Sequence, residues 1–244
     1  LLEEQLGQSI QYMEQVHGDS VALIGASTID APTADALLTQ ESGIALAVMV
    51  ADCIPLLLSN AGAVAAVHVG RRGLLNGVAI NTLNKLRSLD SSPVTAVIGP
   101  SICGSCYEVS QEIFNEVTDR YPASSARTPS GGFSLDLAKA LTHELIENGV
   151  TVIDESRCTV EHDSLFSYRR DGKTHLLGDR TRLVPAPRLS ARRDRRARRH
   201  QRLRRLPARP RLPRRGGRGD HRRAAPSRPG SATTSGARGR GQHH

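Results

Sequence analysis

The first 180 residues predict a mixed α/β (α+β) domain, mixed β-sheets packed with helices, and three observations carry that prediction. Short apolar runs rich in Val and Ile alternate with segments of helical periodicity. The runs are bounded by Gly, Asp, Asn or Pro, the residues that end strands. All three Phe, all four Tyr, both Met and all four Cys precede position 181, so the apolar mass needed for a core is confined there. A stretch of about 180 residues is enough for one domain with a sizeable core.

In chain order, residues 21–24, 44–49, 54–58, 63–68, 94–98 and 150–153 read as strands. Helical spacing of apolar residues appears over 74–89, 110–121 and 135–148. The last of these has Ser134 as an expected N-cap, Asp136 in its first turn and Gly149 as a C-terminal stop. No internal repeat is present.

Charge divides the chain in two. The net charge is +9. Residues 1–180 hold 12 basic and 22 acidic side chains, whereas residues 181–244 hold 21 Arg, no Lys and 2 Asp. The resulting balances, −10 and +19, set a domain over 1–175 apart from a low-complexity Arg/Pro/Gly tail over 181–244. That tail has no Ile and no Phe, Tyr or Trp, so it cannot bury enough apolar surface to offset its ordering entropy and is expected to be disordered. Its origin has three readings. The first is the out-of-frame (frameshift) or misjoined product of a GC-rich gene, as 21 Arg without Lys suggests; the second is a genuine basic arm that holds nucleic acid or another anionic surface by charge, with an independently folded element a third and least favoured reading.

No run of about 18 apolar residues and no basic-then-apolar leader is present, so a cytoplasmic location without a membrane partner is expected. In that compartment Cys53, Cys103, Cys106 and Cys158 are read as reduced thiols. The chain opens at Leu1 without Met, and an upstream segment is expected.

Reactive residues gather at strand ends. Gln15-Val16-His17-Gly18 precedes a predicted strand, Ala51-Asp52-Cys53-Ile54-Pro55 lies between two, and His68-Val69-Gly70-Arg71-Arg72-Gly73 joins a strand to a helix. One Cys and two His from three segments suit a zinc site with its fourth position open, or are a small core thiol and hydrogen-bonded strand-end imidazoles, since the spacings match no short metal motif. Gly70 to Gly73 at a helix start form an anion site if backbone N–H groups and both guanidinium groups converge there, or a glycine turn with solvated arginines. Cys103 and Cys106 are spaced to chelate a metal, but no second such pair follows, so a structural zinc knuckle is not expected. The turn after them places Tyr107 or Glu108 in a cleft, or is a plain loop.

In this order the segments resemble the YfiH family, whose members are described as multicopper polyphenol oxidase or laccase domain proteins, purine nucleoside phosphorylases and peptidoglycan editing factors. The matching motifs over about residues 10–173 also include Asp35-Ala36-Leu37 with Thr39, Ile98-Gly99-Pro100, Cys106-Tyr107-Glu108-Val109, Leu135-Asp136-Leu137, Cys158-Thr159 and Ser167-Tyr168-Arg169-Arg170. The resemblance implies a sandwich with mixed sheets and a zinc held by His17, Cys53 and His68. It implies an enzyme that splits purine nucleosides with phosphate and also deaminates adenosine. Arg72, with Arg71 and Gly73, would bind phosphate. Asp52 would orient a ligand or move a proton, and Tyr107, Glu108 and Arg169 would line the pocket.

Composition weighs on the oxidase label. A multicopper cluster needs roughly ten His, and only His17, His68, His143, His162 and His175 precede Arg180. A single copper in place of zinc is the less favoured alternative. The competing readings are a polyphenol oxidase-like copper oxidoreductase, a Cys–His hydrolase that edits peptidoglycan precursors with Cys53 as nucleophile and His68 or His17 as base, and a nucleic-acid binder acting through the tail. Where the family has an aromatic residue, this chain has Arg71. Family members also carry more residues ahead of the Gln-Val-His segment and a different C-terminal strand, so an enzyme compromised at both ends is expected.

Overall fold

The computed structural model describes residues 2–172. The predicted boundary near residue 175 and the arginine-rich tail lie outside the described residues. A short helix α1 (Leu2–Leu6) leads to strands β1 (Ser9–Gln11), β2 (Val21–Leu23), β3 (Ala36–Thr39) and β4 (Ile44–Leu46). A hairpin follows, β5 (Ile54–Ser59) and β6 (Val64–Val69), then two successive helices α2 (Arg71–Asn76) and α3 (Val78–Leu89). Next come β7 (Thr95–Ile98), α4 (Gln111–Arg120), β8 (Ser125–Arg127), β9 (Phe133–Leu135), α5 (Leu137–Glu147), β10 (Thr151–Asp154) and α6 (Tyr168–Asp171).

The main sheet has six strands in the order β10-β7-β5-β6-β3-β2. Its outer pairs, β10 with β7 and β2 with β3, are parallel, and the inner pairs are antiparallel. β1 and β4 form a separate parallel pair, and β8 and β9 an antiparallel one. The central hairpin closes because Asn60 Oδ1 accepts the N–H groups of Gly62 at 3.1 Å and Ala63 at 2.8 Å, an Asx turn, while the Asn60 N–H donates to Ala63 O at 3.1 Å.

Strand alternation builds the sandwich. Ile54, Leu56 and Leu58 of β5 and Val67 and Val69 of β6 face α3 and α5 in the main core, where Leu83, Leu86, Leu141 and Leu145 are buried. The opposite face packs Leu37 with Met13 and Ile24 under Ile44, Leu46 and Val48. β3 serves both layers: Ala36 and Leu38 join the first core and Leu37 the second, as a period of two requires. A fully buried Leu contributes about 1.5–3 kcal/mol by leaving water, so β3 is anchored from both sides.

The structure departs from the sequence reading at identifiable places. The single helix predicted over 74–89 is two helices, divided at Gly77, whose φ of 81° is left-handed. α5 is capped by Asp136, which accepts the Lys139 N–H at 2.9 Å, and not by Ser134. Leu135 and Ser134 are taken by β9, whose pairing with β8 overrides helical propensity. The predicted strand 44–49 stops at Leu46; beyond it the Gln15 side chain bonds both the N–H and the C=O of Met49, at 2.9 and 2.7 Å, in place of a neighbouring strand. β1, β3, β8 and β9 had no sequence prediction. Among the described residues, no helix is long and apolar enough to cross a membrane.

Candidate metal centre and its cleft

Three backbone segments bring His17, Cys53 and His68 together. His68 is the penultimate residue of β6 and sits across from Pro55, so its side chain rises on the sheet face opposite the main core. Cys53 ends the loop before β5. His17, with φ of 59°, belongs to the loop between β1 and β2. One donor atom from each lies within 4.8 Å of the others. Cys53 Sγ is 3.9 Å from His17 Nε2, and the two imidazole rings meet edge to face with centroids 4.6 Å apart. His68 and Cys53 are buried or half-buried and His17 is exposed.

Asp35 orders this group. It precedes β3, is fully buried, and its carboxylate accepts the N–H groups of Val16, His17 and Gly18 at 3.2, 3.0 and 2.6 Å. Its Oδ1 also lies 2.8 Å from His68 Nδ1. An ionised carboxylate only accepts, so Nδ1 carries the proton and the Nε2 lone pair of His68 is left to the centre. Burial holds the His68 imidazole below its ordinary pKa, against the pull of the Asp35 bond. The Asp35 carboxyl lies below its usual range: burial raises it, but the His68 bond and the N–H bonds from Gly18 and Val16 prevail. Asp35 had no assigned role from sequence; the signal was an acidic residue opening an apolar run, which must be bonded if buried.

The donor set fits a metal on three counts. Two imidazoles and a thiol are zinc ligands, and the trio leaves a tetrahedral position without a donor among the described residues. His68 is oriented by a carboxylate, the usual outer partner of a ligating histidine. Gly70 closes the turn on the trio: a Cβ there would stand 3.0 Å from both Cys53 Sγ and His17 Cδ2. In the protein alone, burial and then the Asp52 and Asp35 charges push the Cys53 thiol up to about 11, so it ionises readily only beside a cation.

A cleft of about 510 Å³ opens beside His17, walled by Arg71, Arg72, Leu75, Asn76, Ile113 and Glu116. α2 begins at Arg71, three residues earlier than predicted, so both arginines sit in its first turn. Arg71 pairs with Glu116 at 2.7 Å. Arg72 is exposed and has no carboxylate partner among the described residues. Gly73 is buried at the start of α2, where a Cβ would stand 3.4 Å from Gly18 O and 3.5 Å from His68 O. Tyr107 lies between Cys53, Arg71 and Arg169; burial raises its pKa, and the Arg71 charge opposes that.

Asp52, at φ of 90°, is a clamp. Its carboxylate accepts Thr159 Oγ1 at 2.6 Å and the Arg169 N–H at 2.7 Å, and its carbonyl accepts the Ile102 N–H at 3.0 Å. The Arg169 guanidinium lies 5.4 Å from the Tyr107 ring centroid and donates to the Glu108 carbonyl at 3.0 Å. The Glu108 carboxylate itself points to the β8–β9 turn, where a Cβ on Gly132 would meet its Oε1 at 2.8 Å. A second group of ligand-type side chains, Cys103, Cys106, Cys158 and Glu161, has donor atoms within 4.8 Å of one another. Sequence spacing had found only its first pair.

The family model described as multi-copper polyphenol oxidoreductase laccase matches residues 1–183. A purine nucleoside phosphorylase of Corynebacterium glutamicum is 42% identical over 173 residues, which cover 68% of this chain and 70% of that protein. A Neisseria meningitidis protein of the DUF152 family superposes with a TM-score of 0.63 at 34% identity, covering 70% of this chain and 73% of that one. The Bacillus licheniformis protein YfiH shares the fold, with a TM-score of 0.63 at 22% identity over 70% of this chain and 74% of its own. By the extent of the family match, the chain belongs to the multi-copper polyphenol oxidoreductase laccase family, the DUF152/YfiH type.

Proposed function

We propose that this chain is a zinc-dependent purine nucleoside phosphorylase, which splits adenosine, inosine or guanosine with phosphate into the free base and ribose 1-phosphate, with deamination of adenosine to inosine and ammonia as a side activity. The observation that carries the reading is that His17, one of the three clustered donors, lines a cleft walled by Arg71 and Arg72. Relatives that bear the phosphorylase name support it.

His17, Cys53 and His68 would hold the metal. When bound, zinc supplies a Lewis acid that polarises a substrate oxygen and lowers the pKa of a water. Arg72, exposed and unpaired by carboxylate among the described residues, takes the phosphate. Arg71 is tempered by Glu116 and positions the Tyr107 hydroxyl, and the close packing of Gly73 sets where α2 starts relative to β6. Tyr107 and Arg169, which are not among the walls of that cleft, would offer an aromatic and a cationic face to the nucleoside beside it, with Arg169 held by the Glu108 carbonyl and by Asp52. Asp35 keeps His68 in the tautomer that a ligand requires.

The hydrolase alternative needs a Cys53 thiolate without help from a metal, and burial with the Asp52 and Asp35 charges pushes the thiol up to about 11, which leaves little thiolate to attack. The copper oxidoreductase alternative needs more imidazole than this site gathers; His143 instead pairs with Glu147 on the exposed side of α5. The test is an assay of zinc-replete protein with adenosine and phosphate. Phosphate-dependent release of adenine is expected, and Arg72→Ala should raise the KM for phosphate about 10-fold or more, as loss of charged hydrogen bonds implies. No phosphate-dependent adenine release from protein with stoichiometric zinc would overturn the reading.

A further inference from the structure

We propose that Cys103, Cys106, Cys158 and Glu161 bind a second metal ion, a structural zinc that ties the loop after β7 to the turn after β10. The spacing of the donor atoms suits a tetrahedral site. Zinc–sulfur bonds of about 2.3 Å and zinc–oxygen bonds of about 2.1 Å put neighbouring S and O ligands about 3.6 Å apart, and two S ligands about 3.8 Å apart. Glu161 Oε1 is 3.5 Å from Cys106 Sγ and 3.7 Å from Cys103 Sγ, and all four donor atoms lie within 4.8 Å of one another. Each contact is by itself a thiol hydrogen bond to the Glu161 carboxylate; the third sulfur within 4.8 Å makes the group a four-donor set for one ion.

The backbone prepares the same shell. Cys103 and Cys106 flank a tight turn in which the Cys106 and Tyr107 N–H groups both reach Cys103 O, at 3.1 and 3.0 Å. Gly104 lets that turn press against Asp136 and Ala126, since a Cβ would stand 2.9 Å from Asp136 Cβ and 3.0 Å from Ala126 Cβ. Cys158 and Glu161 occupy a second turn, which a bridge between Ser101 and Cys158 holds alongside the first. The donor types, three thiols and a carboxylate with no open position, are those of a closed site that stabilises and does not catalyse.

This site would brace the segments that hold Asp52 and Tyr107. Thr159, inside the second turn, donates to Asp52, and the first turn leads directly into Tyr107. The proposal does not depend on the reaction assigned above.

Elemental analysis of the full-length chain, purified with zinc and reductant, tests it. Two zinc ions per chain are expected, and a His17→Ala/His68→Ala variant should keep one. With cobalt in place of zinc, that variant should give the sulfur-to-cobalt charge-transfer intensity of three thiolates and a tetrahedral visible spectrum. If it fails to fold, cobalt titration of the unaltered chain decides: saturation with the intensity of four thiolates supports the site, and of one overturns it. Equal alkylation of Cys103, Cys106 and Cys158 with and without zinc would also overturn it, as would a disulfide among them in the native protein.

Discussion

A fully buried carboxylate that accepts three backbone N–H bonds and sits 2.8 Å from an imidazole nitrogen has no bonding capacity to spare, and Asp35 is in that position. It fixes the 16–18 loop, and with it His17, while orienting His68. An amide in its place has one accepting end and one donating end, so Asp35→Asn must set an NH2 against either the His68 Nδ1–H or the loop N–H groups. Asp35→Asn should therefore weaken zinc at the His17–Cys53–His68 centre by about 10- to 100-fold, the usual effect of losing an outer-shell partner, measured by competition with a chelator. The same residue sets an acid limb. Its folded pKa is depressed, so its stabilisation is present above the ordinary Asp pKa of about 3.9 and is lost as pH falls through the lower folded value. In chelator-treated protein, denaturation at a series of pH values should show the wild type losing stability more steeply than Asp35→Asn below about pH 4. Equal acid limbs would mean that Asp35 is not held ionised by these bonds.

At the scale of elements, Gly77 decides how the arginines of α2 are presented. It ends α2 and begins α3 at φ of 81°, and nothing lies within 4 Å of where its Cβ would be, so a substitution there meets only backbone strain. Gly77→Ala should cost about 1–2 kcal/mol and Gly77→Asn less, because Asn tolerates the left-handed region; chemical denaturation checks the order. Equal stability of all three would show that the two helices had merged into the one that periodicity predicts. This position also marks what the sequence could reveal. β5, β6 and β7 were legible because their apolar runs end at Asn, Gly and Pro. β3 was not, because four residues buried on both faces carry no alternation. β8 and β9 were not, since three-residue strands are defined by their partner and not by propensity. His17, Cys53 and His68 were legible as a chemical trio in separate motifs, whereas Asp35 was not, because its role exists only once β3 lies beside β6. Cys158 joins Cys103 and Cys106 only through the pairing of Ser101 with Cys158, a contact that spacing along the chain does not encode.

For the whole molecule, the separation of charge has its own consequence. Every residue assigned to either metal site or to the cleft lies within residues 2–172, in a stretch that is net acidic, while residues 181–244 carry 21 Arg against 2 Asp. A net charge of +9 spread evenly would give a weakly basic surface; the same charge as −10 and +19 gives a body that repels polyanions and a segment that attracts them. The full chain should therefore bind duplex DNA without sequence preference and with a steep salt dependence. For about 6–10 phosphates engaged, affinity falls about 10³- to 10⁵-fold between about 50 and about 200 mM salt. Fluorescence anisotropy with two unrelated duplexes over that range measures the slope and the absence of preference. A chain ending at residue 180 keeps every described element and should lose this binding while matching the full chain in metal content and in any turnover of nucleoside. If the shortened chain bound DNA with the same slope, the basic segment would not be the contact; if it lost nucleoside turnover with its zinc intact, residues 181–244 would act in catalysis, and charge alone would not account for them.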